Sequence, residues 1–426
     1  MKVLWVCNQC LPVIAEKLHI PVSNKEGWIA GLFGELVCEK RDLELAVAFP
    51  YPENKDFPQT EFSAFGFMED LKHPEVFDER VTDRMREIIK EFQPDIVHIF
   101  GTEYGHALAA ARACANPKKV LVGFQGVCTA LAEAYLTGVD PAWVNKSTLR
   151  DRLKNDNLKR QKEKYEDRAW NEAGTLALAG YVTGRTRLDR KYASDLNPKI
   201  RYFTMNETLR REFYTGRWTP EKAVPESIFV SQCDYPIKGF HILIRALGIL
   251  KREYPQLSVR VAGNIITGDN GLKKKIQIST YGKYLNDLMK QTGTRENIRF
   301  LGQLSAEEMK REYLSCAVFV MPSVMENSPN SVGEAMLLGT PCIASNVGGI
   351  PDILENGRDG ILYEATDANA LADAIKRVFQ RSFDASDEIS AFCENAVEDA
   401  RIKHDGKENV KTLLEIYHTM IREQDT

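Results

Sequence analysis

Two glutamates in a short polar segment have the type and spacing to bind one ligand from two sides. Glu326 and Glu334 are eight residues apart and flank the sequence Ser328-Pro329-Asn330-Ser331. Carboxylates accept hydrogen bonds well from vicinal hydroxyl groups. Because residues 330–338 have a helical apolar pattern, we expect Glu326 in a loop and Glu334 within the first turns of a helix.

The residues between the glutamates predict an anion site at the start of that helix. A strand at 317–321 precedes the loop, Ser328 suits the N-cap and Pro329 the first helical position. Free amides at a helix N-terminus favour phosphate, and open α/β sheets bind ligands at the carboxyl ends of their strands. The segment therefore predicts a ligand with hydroxyl groups on both sides of a diphosphate, which is the shape of a nucleotide sugar.

The same segment resembles the Glu-x7-Glu signature of the large retaining glycosyltransferase family with the GT-B fold, glycosyltransferase family 4. The resemblance implies that Glu326 contacts the donor sugar and Glu334 binds the ribose. It also implies that the backbone at Ser328, Pro329, Asn330 and Ser331 holds sugar and phosphate. The further matching residues are Pro322-Ser323, Glu334-Ala335-Met336, Gly339-Thr340-Pro341 and Gly348-Gly349.

Other residues of the second half extend the predicted donor site. Lys238 matches the family's lysine at the start of a helix, where it would stabilise the charge of a leaving diphosphate. We therefore predict Lys238 and Glu326 as the catalytic residues. Gln232 stands where the family usually has an arginine, so one fixed positive charge is missing. Leu301 and Gly302 match the stretch whose backbone reads the nucleobase, which leaves both uracil and guanine open.

The first half contains residues that resemble the acceptor side of the family. Gly27 of the first half is nevertheless predicted to bind the donor, because it matches one glycine of a Gly-Gly pair near the diphosphate and sugar, whereas Glu26 replaces the other. Gln125 replaces a histidine and cannot transfer a proton near pH 7. His98 lies in the acceptor-side strand, where a hydrogen-bonded core residue is the competing interpretation. We expect the long loop 8–26 to shape the acceptor site.

Short apolar runs alternate with amphipathic stretches along the whole chain. This pattern predicts parallel sheets with helices on both faces, arranged as two Rossmann-like domains that face each other across a cleft. We expect an N-terminal acceptor domain at 1–204, a linker at 205–226 and a C-terminal donor domain at 227–404, with the helix at 405–426 packing on either domain. The predicted strands are 3–7, 43–49, 95–100, 119–124, 175–182, 227–231, 257–262, 297–301, 317–321, 342–345 and 360–363.

Length, charge and composition narrow the class of protein. The 426 residues are too many for one ordinary core. The net charge of −4 gives no support for nucleic acid as a partner. The apolar run Val3–Cys7 is shorter than a signal peptide or a membrane span needs, so we expect a cytoplasmic protein. The sequence has no Asp-x-Asp, so we expect no metal and no other cofactor besides the nucleotide-sugar substrate.

A basic stretch at 146–168 contains nine Lys or Arg and five Asp or Glu and predicts a helix with net positive charge. One interpretation is a solvated helix face. The other is contact with anionic lipid or a lipid-diphosphate acceptor, which would place the protein peripherally at the inner face of the membrane.

The resemblance implies transfer of a sugar from a UDP- or GDP-linked donor to a glycan or lipid-linked glycan, with retention at the anomeric carbon. Stretches at 184–186, 206–210 and 281–285 are similar to a bacterial subgroup that assembles capsule and exopolysaccharide. Two alternatives stay open, a nucleotide-sugar 2-epimerase with the same paired-domain fold and an inactive nucleotide-sugar-binding protein. A dinucleotide oxidoreductase is not favoured, because no Gly-x-Gly-x-x-Gly follows the first strand.

Overall fold

A computed structural model describes residues 1–20, 27–38, 43–57, 63–268, 277–381 and 388–424. In these ranges the strands are β1 Lys2–Val6, β2 Glu44–Pro50, β3 Lys55–Phe57, β4 Ser63–Phe67, β5 Ile96–Phe100, β6 Val120–Gly123, β7 Tyr181–Gly184, β8 Arg201–Thr204, β9 Val224–Val230, β10 Ser258–Ala262, β11 Ile298–Gly302, β12 Cys316–Met321, β13 Cys342–Ser345 and β14 Ile361–Tyr363.

The helices in the same ranges are α1 Pro12–Leu18, α2 Gly27–Cys38, α3 Glu79–Phe92, α4 Gly105–Cys114, α5 Cys128–Ala134, α6 Pro141–Val144, α7 Leu149–Lys154, α8 Leu158–Ala177, α9 Arg187–Leu196, α10 Phe240–Leu250, α11 Thr280–Thr292, α12 Ala306–Ser315, α13 Asn330–Leu338, α14 Ala368–Arg381, α15 Glu388–Lys403 and α16 Gly406–Gln424. No helix in the described ranges combines the length and the apolar composition that a membrane crossing requires.

The first sheet belongs to a unit made of Met1–Ala132, Lys164–Leu209 and His404–Thr426. In the described residues this sheet has the strand order β3-β4-β2-β1-β5-β6-β7-β8 and is parallel except for β3, which runs antiparallel to β4. Its central strands β1 and β5 are almost entirely buried apolar runs, as expected for strands covered by helices on both faces. The strand order reverses between β1 and β5.

The second sheet belongs to a unit made of Glu133–Glu163 and Arg210–Lys403. Its strand order in the described residues is β11-β10-β9-β12-β13-β14, and every pairing is parallel. The strand order reverses between β9 and β12. In open α/β sheets such a reversal is where ligands bind.

Three strands of the first sheet were missed by the sequence analysis. β4 contains serine and glycine beside its aromatic residues, and β3 and β8 are short edge strands whose side chains are half-buried or exposed. None of these strands therefore has the apolar run that predicts a buried strand. The predicted strand 175–182 is wrong in its first half, because α8 continues to Ala177 before β7 begins at Tyr181.

The second unit contains a segment that the sequence analysis assigned to the first domain. Glu133–Glu163 groups with the second unit, whereas the predicted N-terminal domain ran without interruption over 1–204. Val139 and Leu158 are buried in the core of the second unit, and the backbone amide of Thr280 donates to the Asp151 carboxylate at 2.8 Å. The burial of these apolar side chains gives the physical reason for the different boundary.

The basic stretch 146–168 is also not the single helix that was predicted. It contains all of α7 and the first part of α8, separated at 155–157. Asn155 ends α7 in the left-handed conformation, with φ +47°. Asparagine tolerates this conformation better than most residues, and it closes a helix there.

The terminal helix α16 packs on the first unit. Its apolar side chains Val410, Leu413, Leu414 and Tyr417 are buried among residues of the first core. The indole Nε1 of Trp5 donates a hydrogen bond of 2.9 Å to the Tyr417 hydroxyl.

A glycine lets two loops of the second unit approach more closely than any side chain would permit. Gly239 has φ +63°, and a Cβ at this position would lie 1.7 Å from the carbonyl oxygen of Pro322. The two loops are joined there by a hydrogen bond of 2.8 Å from the Val324 amide to the Ile237 carbonyl. The loop after β9 and the loop after β12 are thereby locked together.

We expect Gly239→Ala to lower the free energy of unfolding by about 3 kcal/mol or more. The left-handed conformation costs roughly 1–2 kcal/mol for alanine, and the backbone clash adds to it. Gly293→Ala is the matched control, because Gly293 has φ +68° but its added Cβ would meet only the tip of Lys251 at 4.0 Å. Urea unfolding measures both variants, and equal losses would show that the close approach does not contribute.

Candidate functional site

Lys238 and Glu326 form an ion pair at the carboxyl edge of the second sheet. The Lys238 Nζ lies 2.7 Å from Oε1 of Glu326, and the Ser323 hydroxyl donates to the same oxygen at 2.8 Å. Lys238 follows β9 and Glu326 follows β12, so the pair lies where the strand order reverses. The structure thus brings together the two residues that the sequence analysis predicted as catalytic.

The Lys238 amine is charged at neutral pH. Burial by itself would lower the pKa of Lys238, but the carboxylate of Glu326 and the hydroxyl of Tyr235 raise it above its ordinary value. An ammonium group has three N–H donors, and the hydrogen bond to Glu326 at 2.7 Å uses one of them. The same charged group is therefore suited to bind an anion beside the pair.

A second close approach fixes the backbone of Glu326. Gly348 has φ +55°, and a Cβ there would lie 2.0 Å from the carbonyl oxygen of Glu326. The Gly349 amide donates to this oxygen at 3.0 Å. The Gly348-Gly349 pair, which the sequence analysis matched to the family, therefore holds the loop after β13 against the loop that carries Glu326.

The helix after that loop begins one residue later than predicted. α13 starts at Asn330, and Pro329 occupies the N-cap with φ −73° and ψ 113°. Ser328 therefore lies before the N-cap, because the extended ψ of Pro329 keeps this proline outside the helix. Pro329 makes no side-chain cap. The first amides of α13, at Asn330 and Ser331, are therefore suited to an anionic ligand.

Glu334 lies inside α13, only 3% exposed, and is paired with an arginine that the sequence analysis assigned no role. Its Oε1 accepts from Nε and Nη2 of Arg210 at 2.9 and 2.6 Å, and the Tyr313 hydroxyl lies 3.4 Å from its Oε2. Burial raises the pKa of the Glu334 carboxyl above its ordinary value, and Arg210 lowers it part of the way back. Oε2 is thus the oxygen better placed to accept from a ligand.

The remaining predicted donor residues of the second half lie along the same edge of the second sheet. Gln232 follows β9, and its Cγ lies 3.5 Å from the position of a Cβ on Gly263, which follows β10. Leu301 and Gly302 end β11 and are half-buried. Gly302 has φ +82°, and no atom of the described residues lies within 4 Å of its Cβ position. The backbone in front of Gly302 is therefore accessible.

His98 has the contacts of a hydrogen-bonded core residue. It lies in the middle of β5, almost fully buried, and its Nδ1 is 2.7 Å from the Tyr417 hydroxyl. Burial lowers the pKa of His98 to about 3, so the ring is neutral near pH 7. These contacts fit a hydrogen-bonded core residue, which was the alternative to a role for His98 on the acceptor side.

Gln125 ends a chain of hydrogen bonds at the carboxyl edge of the first sheet. Its Oε1 accepts from Nδ2 of Asn8 at 3.3 Å, and Oδ1 of Asn8 lies 3.0 Å from Nε2 of His106. The other ring nitrogen of His106 is 2.6 Å from the Glu69 carboxylate. The sequence analysis missed His106 and Glu69. His106 could have been recognised as a candidate from its position at the start of the helix that follows β5, because the strand order of the first sheet reverses beside β5.

A further carboxylate, Glu103, lies beside Gln125 and was also missed. Its Oε1 accepts from the Gly126 amide at 2.6 Å, whereas its buried Oε2 has no hydrogen-bond partner among the described residues. Burial raises the pKa of Glu103. A Cβ on Gly101 would lie 2.3 Å from this Oε2, so the glycine, with φ +86°, makes room for the carboxylate.

Gly27 is the first residue of α2 and is half-buried, whereas Glu26 lies outside the described residues. The predicted loop 8–26 is not a continuous loop, because α1 occupies Pro12–Leu18. Pro12 stands in the first helical position, which fits the preference of proline for that place. Residues 21–26 of the predicted loop are also outside the described part of the chain.

Part of the second unit matches a known family. Residues 211–397 match the family model described as glycosyl transferases group 1. A curated relative, the D-inositol 3-phosphate glycosyltransferase of Corynebacterium urealyticum, is 29% identical over 187 residues, and these cover 43% of this chain and 41% of that protein. The chain therefore matches well under half of the length of this relative. The matched family range includes Lys238, Glu326 and Glu334, and it begins directly after Arg210.

Solved structures match over nearly the whole chain. Sucrose-phosphate synthase from Thermosynechococcus elongatus aligns with a TM-score of 0.67 over 99% of this chain and 100% of that chain, at 14% identity. HepE of Anabaena, in complex with UDP and glucose, aligns with a TM-score of 0.64 over 98% and 100%, at 15% identity. The predicted fold class is confirmed, since the chain has the GT-B fold with two Rossmann-like units.

We expect Arg210→Met to lower the free energy of unfolding by roughly 3–5 kcal/mol at pH 8, because it leaves the buried Glu334 carboxylate without its cation. Without Arg210 the pKa of Glu334, already raised by burial, rises further. Lowering the pH then protonates Glu334 and removes the penalty, so the loss should be clearly smaller at pH 5.

Urea unfolding at both pH values measures this effect. Lys376→Met is the control, since Lys376 and Glu253 form an exposed, solvent-screened pair whose loss should change the free energy of unfolding little. A loss for Arg210→Met that is equal at the two pH values would contradict the assignment of the pair.

Proposed function

We propose that this protein is a glycosyltransferase that takes its donor, a nucleotide sugar, in the second unit. The observation that carries the proposal is the arrangement around the uncapped N-terminus of α13. Glu326, paired with Lys238, precedes this helix terminus, and Glu334 lies behind it. The match of residues 211–397 to glycosyl transferases group 1 supports the same activity.

Each group of the site has a role in binding the donor. The diphosphate lies at the first amides of α13, and the Lys238 ammonium stabilises the charge of the departing nucleoside diphosphate. The ribose hydroxyls donate to Oε2 of Glu334. Both described contacts of the Glu326 carboxylate go to Oε1, which leaves its Oε2 to accept from a hydroxyl of the donor sugar.

The proposed reaction proceeds with retention and needs no divalent metal. The acceptor oxygen attacks the anomeric carbon from the face that the diphosphate leaves. The bond from the anomeric carbon to the phosphate oxygen breaks, and the proton of the acceptor hydroxyl passes to the leaving phosphate. The positive charge of Lys238 and the helix terminus take the place of a metal ion at the diphosphate.

The donor carries UDP or GDP, and UDP is the first choice because the similar HepE structure holds UDP and glucose. The acceptor is a glycan or a lipid-linked glycan held by the first unit, beside Gln125 and Glu103. The stretches at 184–186, 206–210 and 281–285 support a place in bacterial surface polysaccharide synthesis.

Titration with UDP and GDP tests the donor site directly. A ligand at about a hundred times its Kd should stabilise the folded protein by roughly 2.7 kcal/mol, which thermal unfolding detects. We expect one nucleotide to stabilise the protein, with the same effect in EDTA.

Glu334→Ala should weaken binding at least about tenfold, because the buried ribose contact is lost. Glu355→Ala, at an exposed glutamate of the same unit, should leave the affinity unchanged.

Lys238→Met should lower turnover of the accepted nucleotide sugar by about a hundredfold or more, since it removes charge stabilisation of the leaving group. Turnover is measured as release of the nucleoside diphosphate.

If no nucleotide stabilises the protein, the proposal is wrong. If a nucleotide binds but the sugar is only isomerised, the epimerase alternative is correct, and binding without any turnover favours an inactive binding protein.

A further inference from the structure

The short helix α7 presents two leucines to solvent. Leu149 is 58% exposed and Leu153 is 79% exposed. Residues four apart lie on the same face of a helix, so the two side chains form one apolar patch. Single exposed leucines are common on protein surfaces, but a pair on one short helix is a candidate contact surface.

The exposed charged side chains from residue 141 to residue 155 are all basic, whereas the flanking Asp140 is exposed and Asp156 pairs with Arg150 at 2.9 Å. Lys146, Arg152 and Lys154 are exposed. The sole acidic residue in the sequence from 141 to 155 is Asp151, and it is buried. The exposed charge of this stretch is therefore entirely positive, next to the leucines.

The buried Asp151 holds α7 firmly on the second unit. Thr148 and Asp151 form a capping box, in which the Asp151 amide donates to the Thr148 hydroxyl at 3.1 Å. The Asp151 carboxylate also accepts from the backbone amide of Thr280, at the start of α11, at 2.8 Å. The inner side of the helix is fixed by these bonds, so the outward leucines need little further ordering to meet a partner.

Several cations of α8 are engaged in ion pairs. Arg160 pairs with Glu163 at 3.1 Å, and Lys164 pairs with Glu75 at 3.7 Å. The positive charge that the sequence showed over 146–168 is therefore neutralised in part along α8. Lys146, Arg152 and Lys154, next to the exposed leucines, have no ion pair among the described residues, whereas Arg150 of α7 pairs with Asp156 at 2.9 Å.

We propose that Lys146, Leu149, Arg152, Leu153 and Lys154 form a docking surface for an anionic lipid bilayer. The leucines enter the boundary between headgroups and acyl chains, and the three cations remain among the anionic headgroups. Charge complementarity selects this partner, since a neutral apolar partner would leave the three cations without counter-charges. The proposal rests on this surface alone and does not depend on the proposed transferase activity.

Sedimentation of the full-length protein with vesicles tests the docking surface. We expect the protein to bind vesicles of phosphatidylcholine mixed with phosphatidylglycerol, and to be released by high salt. Vesicles of phosphatidylcholine alone should bind it weakly. The double variant Leu149→Ser, Leu153→Ser should lower the partition coefficient at least about tenfold, because it removes the apolar anchors. Arg152→Gln with Lys154→Gln should lower binding to the anionic vesicles and reduce its salt dependence.

A matched control separates this surface from general surface hydrophobicity. Ile402 is 69% exposed on α15 of the same unit, and Ile402→Ser should leave vesicle binding unchanged. Thermal unfolding with UDP and GDP, measured on the leucine variant, should match the wild type, which separates failure of this surface from failure of the donor site.

The proposal is overturned if the wild type stays in the supernatant with both kinds of vesicle, or if the leucine variant binds as tightly as the wild type. Equal binding to neutral and anionic vesicles also overturns it, because the cations would then have no role. Sedimentation velocity without lipid gives one more test. If the wild type dimerises and the leucine variant does not, the surface binds a second copy of the chain.

Discussion

The proposed donor site depends on two points where backbone meets backbone at a distance that only glycine permits. Gly239 lies against the carbonyl of Pro322, and Gly348 lies against the carbonyl of Glu326. These contacts join the loops that follow β9, β12 and β13 into one rigid edge. Because the edge is rigid, Lys238 and Glu326 are held 2.7 Å apart although 88 residues separate them in the sequence. A looser edge would let the Lys238 side chain move away from Glu326 into solvent.

The charges of the site follow from this geometry. Each of its two glutamates has its own cation, Lys238 on Glu326 and Arg210 on Glu334. Two buried carboxylates without partners would oppose the entry of a diphosphate, whereas the paired arrangement leaves the helix N-terminus as the dominant local field. By neutralising Glu326 and Glu334, the two cations reduce the repulsion that an anion would meet at the N-terminus of α13, which lies between these glutamates in the sequence.

The sequence predicts those helices and strands whose apolar residues recur with a regular period. The helix that carries Glu334, the buried central strands and the alternation that defines the two sheets all leave periodic signals. Arg210 and Glu103 left no such signal, because their roles come from contacts across the fold. Arg210 meets Glu334 at a separation of 124 residues. The same limit applies to Glu133–Glu163, whose grouping with the second unit depends on long-range burial of Val139 and Leu158. Short edge strands such as β8 were missed because half-exposed strands carry no apolar run.

Hydrogen exchange measured by mass spectrometry, with and without nucleotide, shows where on the protein a nucleotide binds. We expect UDP or GDP to slow exchange in the loop after β12 and the first turn of α13, residues 323–333. We also expect slower exchange at the turn that carries Lys238, while the distant helix α9 exchanges at an unchanged rate. Unchanged exchange at 323–333 in the presence of saturating nucleotide, or protection confined to the first unit, would contradict the assignment of the donor site.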